Sequence, residues 1–121
     1  MVRIASLAAA LALPATSLAA QPTAPAPLSL EHRMLLRCSA AFALVATRQD
    51  AGDAEALAYP PLKERGREFF VRASAKVMDE AKLDRAALAE AMRSEAEAMV
   101  DAPSLDQIMP PCLDALTAAG L

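Results

Sequence analysis

The sequence predicts an all-α fold: a small bundle of four to five helices held by one disulfide and following a cleaved signal peptide. Three observations carry this. Apolar residues recur at spacings of three and four along most of residues 29–121, the period of a helix with one buried face. Capping residues stand before these stripes, and glycine or proline follows them. No stretch alternates with period two and β-branched residues are few, so no strand is expected.

The chain begins MVRIASLAAALALPATSLAAQPTAPAP. Arg3 precedes the largely apolar run Ile4–Leu13, Pro14 breaks it, and Ser17-Leu18-Ala19 supplies the small-x-small pattern read by signal peptidase. Cleavage after Ala19 fits best, and after Ala20 nearly as well. A membrane-spanning helix needs about 20 apolar residues, and this run is half that. Residues 1–19 are therefore expected to be a signal peptide. No cysteine follows the cleavage site, so no lipid anchor is expected. Residues 20–28 form an extended Pro-rich leader, and residues 29–121 a single helical domain with no integral membrane segment. Such a chain belongs in the periplasm or outside the cell.

Ser29 is positioned to cap a first helix over Leu30–Arg48, with Glu31 in its first turn. Its stripe is Leu30, Met34, Leu35, Cys38, Ala41, Phe42 and Val45. Gln49-Asp50-Ala51-Gly52 ends it. Asp53–Tyr59 adds one or two turns, stopped by Pro60 and Pro61. The Tyr59–Pro60 pair reads as a packed turn in which a cis bond is open to the chain.

A second long helix is expected to open at Pro61 and end near Lys82, with Leu62, Gly66, Phe69, Phe70, Ala73 and Val77 on its buried face. Gly66 on that face permits close approach by another helix. Asp84 caps a third helix, Arg85–Val100, with Leu83 and Leu88 as a hydrophobic staple and the stripe Leu88, Met92, Ala96, Met99. Asp101-Ala102-Pro103 makes a turn. Ser104 and Gln107 form a capping box for a short fourth helix, which Pro110 and Pro111 should break or kink near Met109. A last helix is expected from about Pro111 to Ala119, with Gly120 past its end. The stripe Leu105, Ile108, Met109, Cys112, Leu113, Leu116 keeps its phase across the prolines.

Cys38 and Cys112 lie on two of these apolar stripes and are the chain's two cysteines. In an exported protein they are most simply one disulfide. It would close a loop of about 74 residues, for which chain entropy gives roughly 4 kcal/mol. A pair of buried free thiols is the alternative. Redox catalysis lacks both a C-x-x-C motif and the exposed, electropositive setting a thiolate needs.

Catalytic and cofactor signals are missing. His32 is the lone histidine, reads as a surface residue, and faces away from Cys38 on its helix. One histidine and two distant cysteines make no metal motif. No C-x-x-C-H attaches haem, and none of the three glycines sits in a phosphate-binding loop. Glu95 and Glu97 fall on different helix faces, and nothing singles out a general acid and base. The chain is expected to be no enzyme and to take no cofactor and no metal. Loss of Arg3 with the signal leaves 11 Lys+Arg against 15 Asp+Glu, a net charge of −4. That balance argues against nucleic acid as a partner.

KERGREFFVRASAK (Lys63–Lys76) carries a net charge of +3, against −6 for Asp79–Asp114. Arg65, Arg72 and Lys76 form one column beside Phe69 and are the candidate contacts for a protein or envelope component. The competing role is a solvated face balanced by Glu68, Asp79 and the acidic half. Met34, Met78, Met92, Met99 and Met109 read as core filler, with an adaptable binding surface as the sharper alternative.

With RCSAAFALVA, YPPLKERGREFFVRASAKVMDE and MPPCLDALTAAGL, the mature chain resembles, over nearly its whole length, a group of short exported helical proteins of Gram-negative bacteria without an assigned activity. The resemblance implies an exported helical domain and no catalysis. In form, the chain is also similar to the acid-stress periplasmic chaperones, which are small, helical, acidic and held by one disulfide. That likeness implies an alternative role: exposing apolar surface once carboxylates are protonated.

Overall fold

The computed structural model describes residues 27–100 and 105–121. The expected signal peptide, most of the leader, and the Asp101–Ser104 turn with its cap lie outside the described residues. Five helices run in order: α1 Leu30–Asp50, α2 Ala54–Leu57, α3 Lys63–Ala81, α4 Arg85–Val100 and α5 Leu105–Ala118. No strand occurs among the described residues.

The caps are those the sequence indicates. The Ser29 hydroxyl accepts from the His32 N–H, Asp53 from the Ala56 N–H and Asp84 from the Ala87 N–H. Each satisfies a donor that a helix start leaves unpaired. The fold begins slightly before Ser29, because Leu28 already packs against apolar residues of the bundle.

Helix α3 starts at Lys63 rather than Pro61. The reason is Gln49, at the end of α1. Its amide N–H groups donate to the carbonyls of Ala56, Tyr59 and Pro60 at 2.9–3.2 Å, and its Oε1 accepts from the Leu62 N–H at 3.2 Å. One side chain thus serves a connector whose backbone groups lack regular partners. Pro60 and Pro61 lie in this connector, and the Tyr59–Pro60 bond is trans. Lys82 ends α3 in the left-handed region at φ 56°, its N–H donating to the Met78 carbonyl.

The clearest departure is α5. It is one continuous helix with Pro110 and Pro111 inside it, where two helices were expected. Neither proline supplies an N–H, so the carbonyls of Asp106 and Gln107 lose their helical donors. These four residues are exposed, leaving the carbonyls open to water. On the opposite side Met109, Cys112 and Leu116 are fully buried. Packing of that unbroken stripe outweighs the local cost of the prolines.

Helix α1 is the centre of the molecule and packs against each of the other four. One side of it meets α3 and α5 in the main core: Phe42, Ala41 and Val45 against Leu62, Phe69, Ala73, Met109 and Leu116. Phe42 and Phe69 pack edge-to-face with ring centroids 5.1 Å apart, a favoured aromatic geometry. Cys38 and Cys112 form the predicted disulfide, with Cα atoms 5.1 Å apart. A second side of α1 buries Leu36 with Val77 and Leu88, joining α1, α3 and α4. Leu30, placed on the stripe by spacing, is 76% exposed, because no described residue packs over the first turn on that side.

Candidate functional site

The basic column expected on α3 lies against the chain's own oxygens. The Arg65 guanidinium donates to the main-chain oxygen of Leu121 at 2.6 Å. Arg72 donates to Glu68 at 2.8 Å and to the Ala119 carbonyl at 3.1 Å. Lys76 pairs with Glu80 at 2.6 Å and with Glu31 at 3.2 Å. Helix α5 leaves its last carbonyls without helical donors, and Arg65 and Arg72 supply cations at that negative end. Lys76 joins α3 to α1.

A different face of α3 is open. Phe70, expected on the buried face, is 43% exposed. Its neighbour Phe69 occupies the core, and a step of one residue turns Phe70 well away from it. Between α1 and α3 lies a hollow of about 310 Å³ whose lining includes Ala43, Ala46, Leu62, Gly66 and Phe70. Gly66 lets α3 come close to α1: a Cβ there would stand 2.9 Å from the Phe42 Cβ. A second hollow of about 330 Å³ adjoins it on the other side of Phe70, lined also by Arg85, Leu88, Ala89 and Met92. Lys63 and Arg67 edge the first hollow and Arg85 the second. Lys63 is paired with Asp50 at 3.0 Å. Arg67 and Arg85 have no hydrogen-bond or ion-pair partner among the described residues. Among the described residues no carboxylate lines either hollow.

Helix α4 is tied down by charge. Glu95 is 5% exposed. It accepts from Arg33 Nε at 2.8 Å, and from Arg37 Nη2 at 2.8 Å and Nε at 3.1 Å. A buried carboxylate needs such partners, since its desolvation is otherwise costly. Nearby, His32 is only 12% exposed at its side chain and sits 2.8 Å from Glu80, so it is not the surface residue expected. The His32 contact, then Lys76, holds the Glu80 carboxyl below the usual glutamate range. The Ala56 N–H, then Arg48, does the same for Asp53. The phenol of Tyr59 donates to Asp106 at 2.6 Å, which with burial raises it above the usual tyrosine range.

This chemistry is that of a structure holding itself together beside an open apolar face. Among the described residues no group of three His, Cys, Asp or Glu side chains is placed to hold a metal ion. The methionines divide: Met109 is fully buried, Met34 and Met99 back the main core, and Met78 and Met92 back the second cluster. Met92 also lines a hollow. Residue spacing did carry a signal for Glu95, which interrupts the α4 stripe seven residues after Leu88, opposite an i, i+4 pair of arginines. The exposure of Phe70 had none, because its spacing equally suits a buried face. No family model matches the chain, and no curated protein or solved structure matches it either.

Proposed function

We propose that this chain is a non-enzymatic helical module, exported to the periplasm or beyond, that engages a protein or envelope component through the face around Phe70. The observation that carries it is the pair of hollows sharing Phe70, with an apolar floor and, at the edge, Arg67 and Arg85, which have no ion-pair partner among the described residues. Concave apolar sites edged by a few polar groups are where proteins take up ligands and partners. The disulfide is compatible with an oxidising compartment and so supports export. Arg65, Arg72 and Lys76 serve here as braces of α5 and α1 behind that face rather than as the contact itself.

The test compares wild type with Ala43→Arg and Phe70→Glu as baits for envelope extract, after circular dichroism has shown all three folded. A protein recovered by wild type and lost from both variants supports the module. Equal recovery by all three sinks it. Replacing Arg65, Arg72 and Lys76 together by Ala is expected to lower the melting temperature and leave recovery unchanged at any salt concentration.

A second role rests on α4. This helix covers Leu36 and Val77 and is held at Glu95 by charge. Release of α4 from these pairs would expose apolar surface, as an acid-activated chaperone requires. Dye binding and client aggregation at pH 2–3 and pH 7 decide this. A chaperone exposes surface and suppresses aggregation in acid alone.

A further inference from the structure

We infer that the joined hollows around Phe70 receive an acidic amphipathic α-helix from a partner protein, with its apolar ridge over Gly66 and Phe70 and its carboxylates on Arg67 and Arg85. This rests on the module reading above and names the partner's chemistry. Charge complementarity selects the sign. The chain as a whole has a net charge of −3, yet the two linings hold Lys63, Arg67 and Arg85 and no carboxylate. Lys63 is neutralised by Asp50, which leaves Arg67 and Arg85 to meet an anion. Arg85 is the first residue of α4, where the helix dipole disfavours a cation. Its position is therefore not explained by the stability of its own helix.

Shape selects a helix. The hollows share Phe70 and both are open to solvent, whereas a small ligand would need most of its surface enclosed. A docked helix needs only one face covered, with anchors at i, i+3, i+4 and i+7. Along α3 the lining runs from Lys63 to Phe70, about 10 Å at the rise of a helix, which accommodates about two turns. The small side chain of exposed Ala43 leaves room beside it, and exposed Phe70 gives the ridge an aromatic anchor.

The probes are two synthetic 18-residue amphipathic helices with the same leucine ridge, one flanked by Glu and one by Lys, titrated into the full chain at low ionic strength. The Glu peptide is expected to bind at least tenfold more tightly, to weaken as salt is added, and to shift the amide resonances of Ala43, Gly66 and Phe70. The Arg67→Glu, Arg85→Glu double variant should invert the preference and leave the circular dichroism spectrum unchanged. Equal affinities, or shifts confined to another face, overturn the inference. A benzophenone amino acid at position 43 separates the two levels of the reading. A crosslink in cells to an acidic helix of another protein supports the inference. A crosslink to a neutral or basic protein segment overturns the acidic helix but leaves the module standing. A crosslink to a second copy of this chain or to phosphatidylglycerol also overturns it. No crosslink and no peptide binding overturn both.

Discussion

Gly66 of α3 lies so close to Phe42 of α1 that a Cβ on the glycine would stand 2.9 Å from the Phe42 Cβ. The contact is with the first side-chain atom, which no rotamer change moves away. The two helices must separate to admit a methyl group, and the Phe42–Phe69 edge-to-face packing shifts with them.

Gly66→Ala is thus expected to destabilise, although alanine ordinarily improves a helix interior by up to about 1 kcal/mol. Overpacking of this kind costs about 1–3 kcal/mol. Urea titration should show a lower midpoint with an unchanged slope. A midpoint equal to wild type or higher would mean that the α1–α3 spacing has slack.

The disulfide should be visible by mass spectrometry of unreduced, alkylated protein as the absence of any alkylated cysteine. Cys112→Ser removes a link of sequence separation 74, worth roughly 4 kcal/mol by chain entropy. A marked fall in melting temperature is expected, with helix content largely kept. Identical melting of oxidised and reduced wild type would refute a stabilising role.

The charges on α4 should respond asymmetrically. Glu95 is 7% exposed at its side chain, whereas Arg33 and Arg37 are 50% and 31% exposed. Arg37→Met leaves the buried carboxylate with a single cation and should cost about 1–3 kcal/mol. Glu95→Met frees two guanidinium groups that reach water, and should cost less. Thermal melts of the two variants give the order; the reverse order would show that α4 is not held through Glu95.

Acid should weaken the fold through Glu80 and Asp53. Both carboxyls are held below their usual range in the folded chain. A depressed folded value gives stability that is present above the unfolded value and is lost as pH falls through the folded one. The loss begins as pH falls toward the ordinary carboxyl values of 4.5 for glutamate and 3.8 for aspartate and completes below the lowered folded ones. Asp53→Asn keeps a side-chain oxygen for the Ala56 N–H but gives up the charge pairing with Arg48. Its stability should therefore fall less steeply with acid than that of wild type. Parallel curves for wild type, Asp53→Asn and Glu80→Gln would remove both groups from the acid response.

Much of the fold was legible because short-range signals agreed with one another. Ser29, Asp53 and Asp84 cap the helices they precede, and the stripes bearing Cys38 and Cys112 meet in one core. The misreadings arise where distant packing overrides a local rule. Pro110 and Pro111 would end an isolated helix, but the buried side of α5 carries it through. Leu36 lies off the principal stripe and is buried because α1 has helices on two sides. At the candidate site, residue type marked the charge of α3 but not its use. Arg65 and Arg72 find oxygens near the end of α5, while Arg67, two positions from Arg65, edges the open hollow.

The Cys38–Cys112 bond also divides the chain mechanically. Everything from α2 through α4 lies inside one covalent ring. A cut anywhere in the connectors would leave both fragments attached, each still carrying a helix of the main core. Under tension applied from outside the ring, force passes from α1 directly to α5 through the sulfur atoms. The stretch of sequence between the cysteines, spanning a separation of 74, then stays slack. On the order of 250 Å of contour is withheld from extension until a reductant opens the bond, so a single-molecule pulling trace should lengthen by that amount when thiol is added.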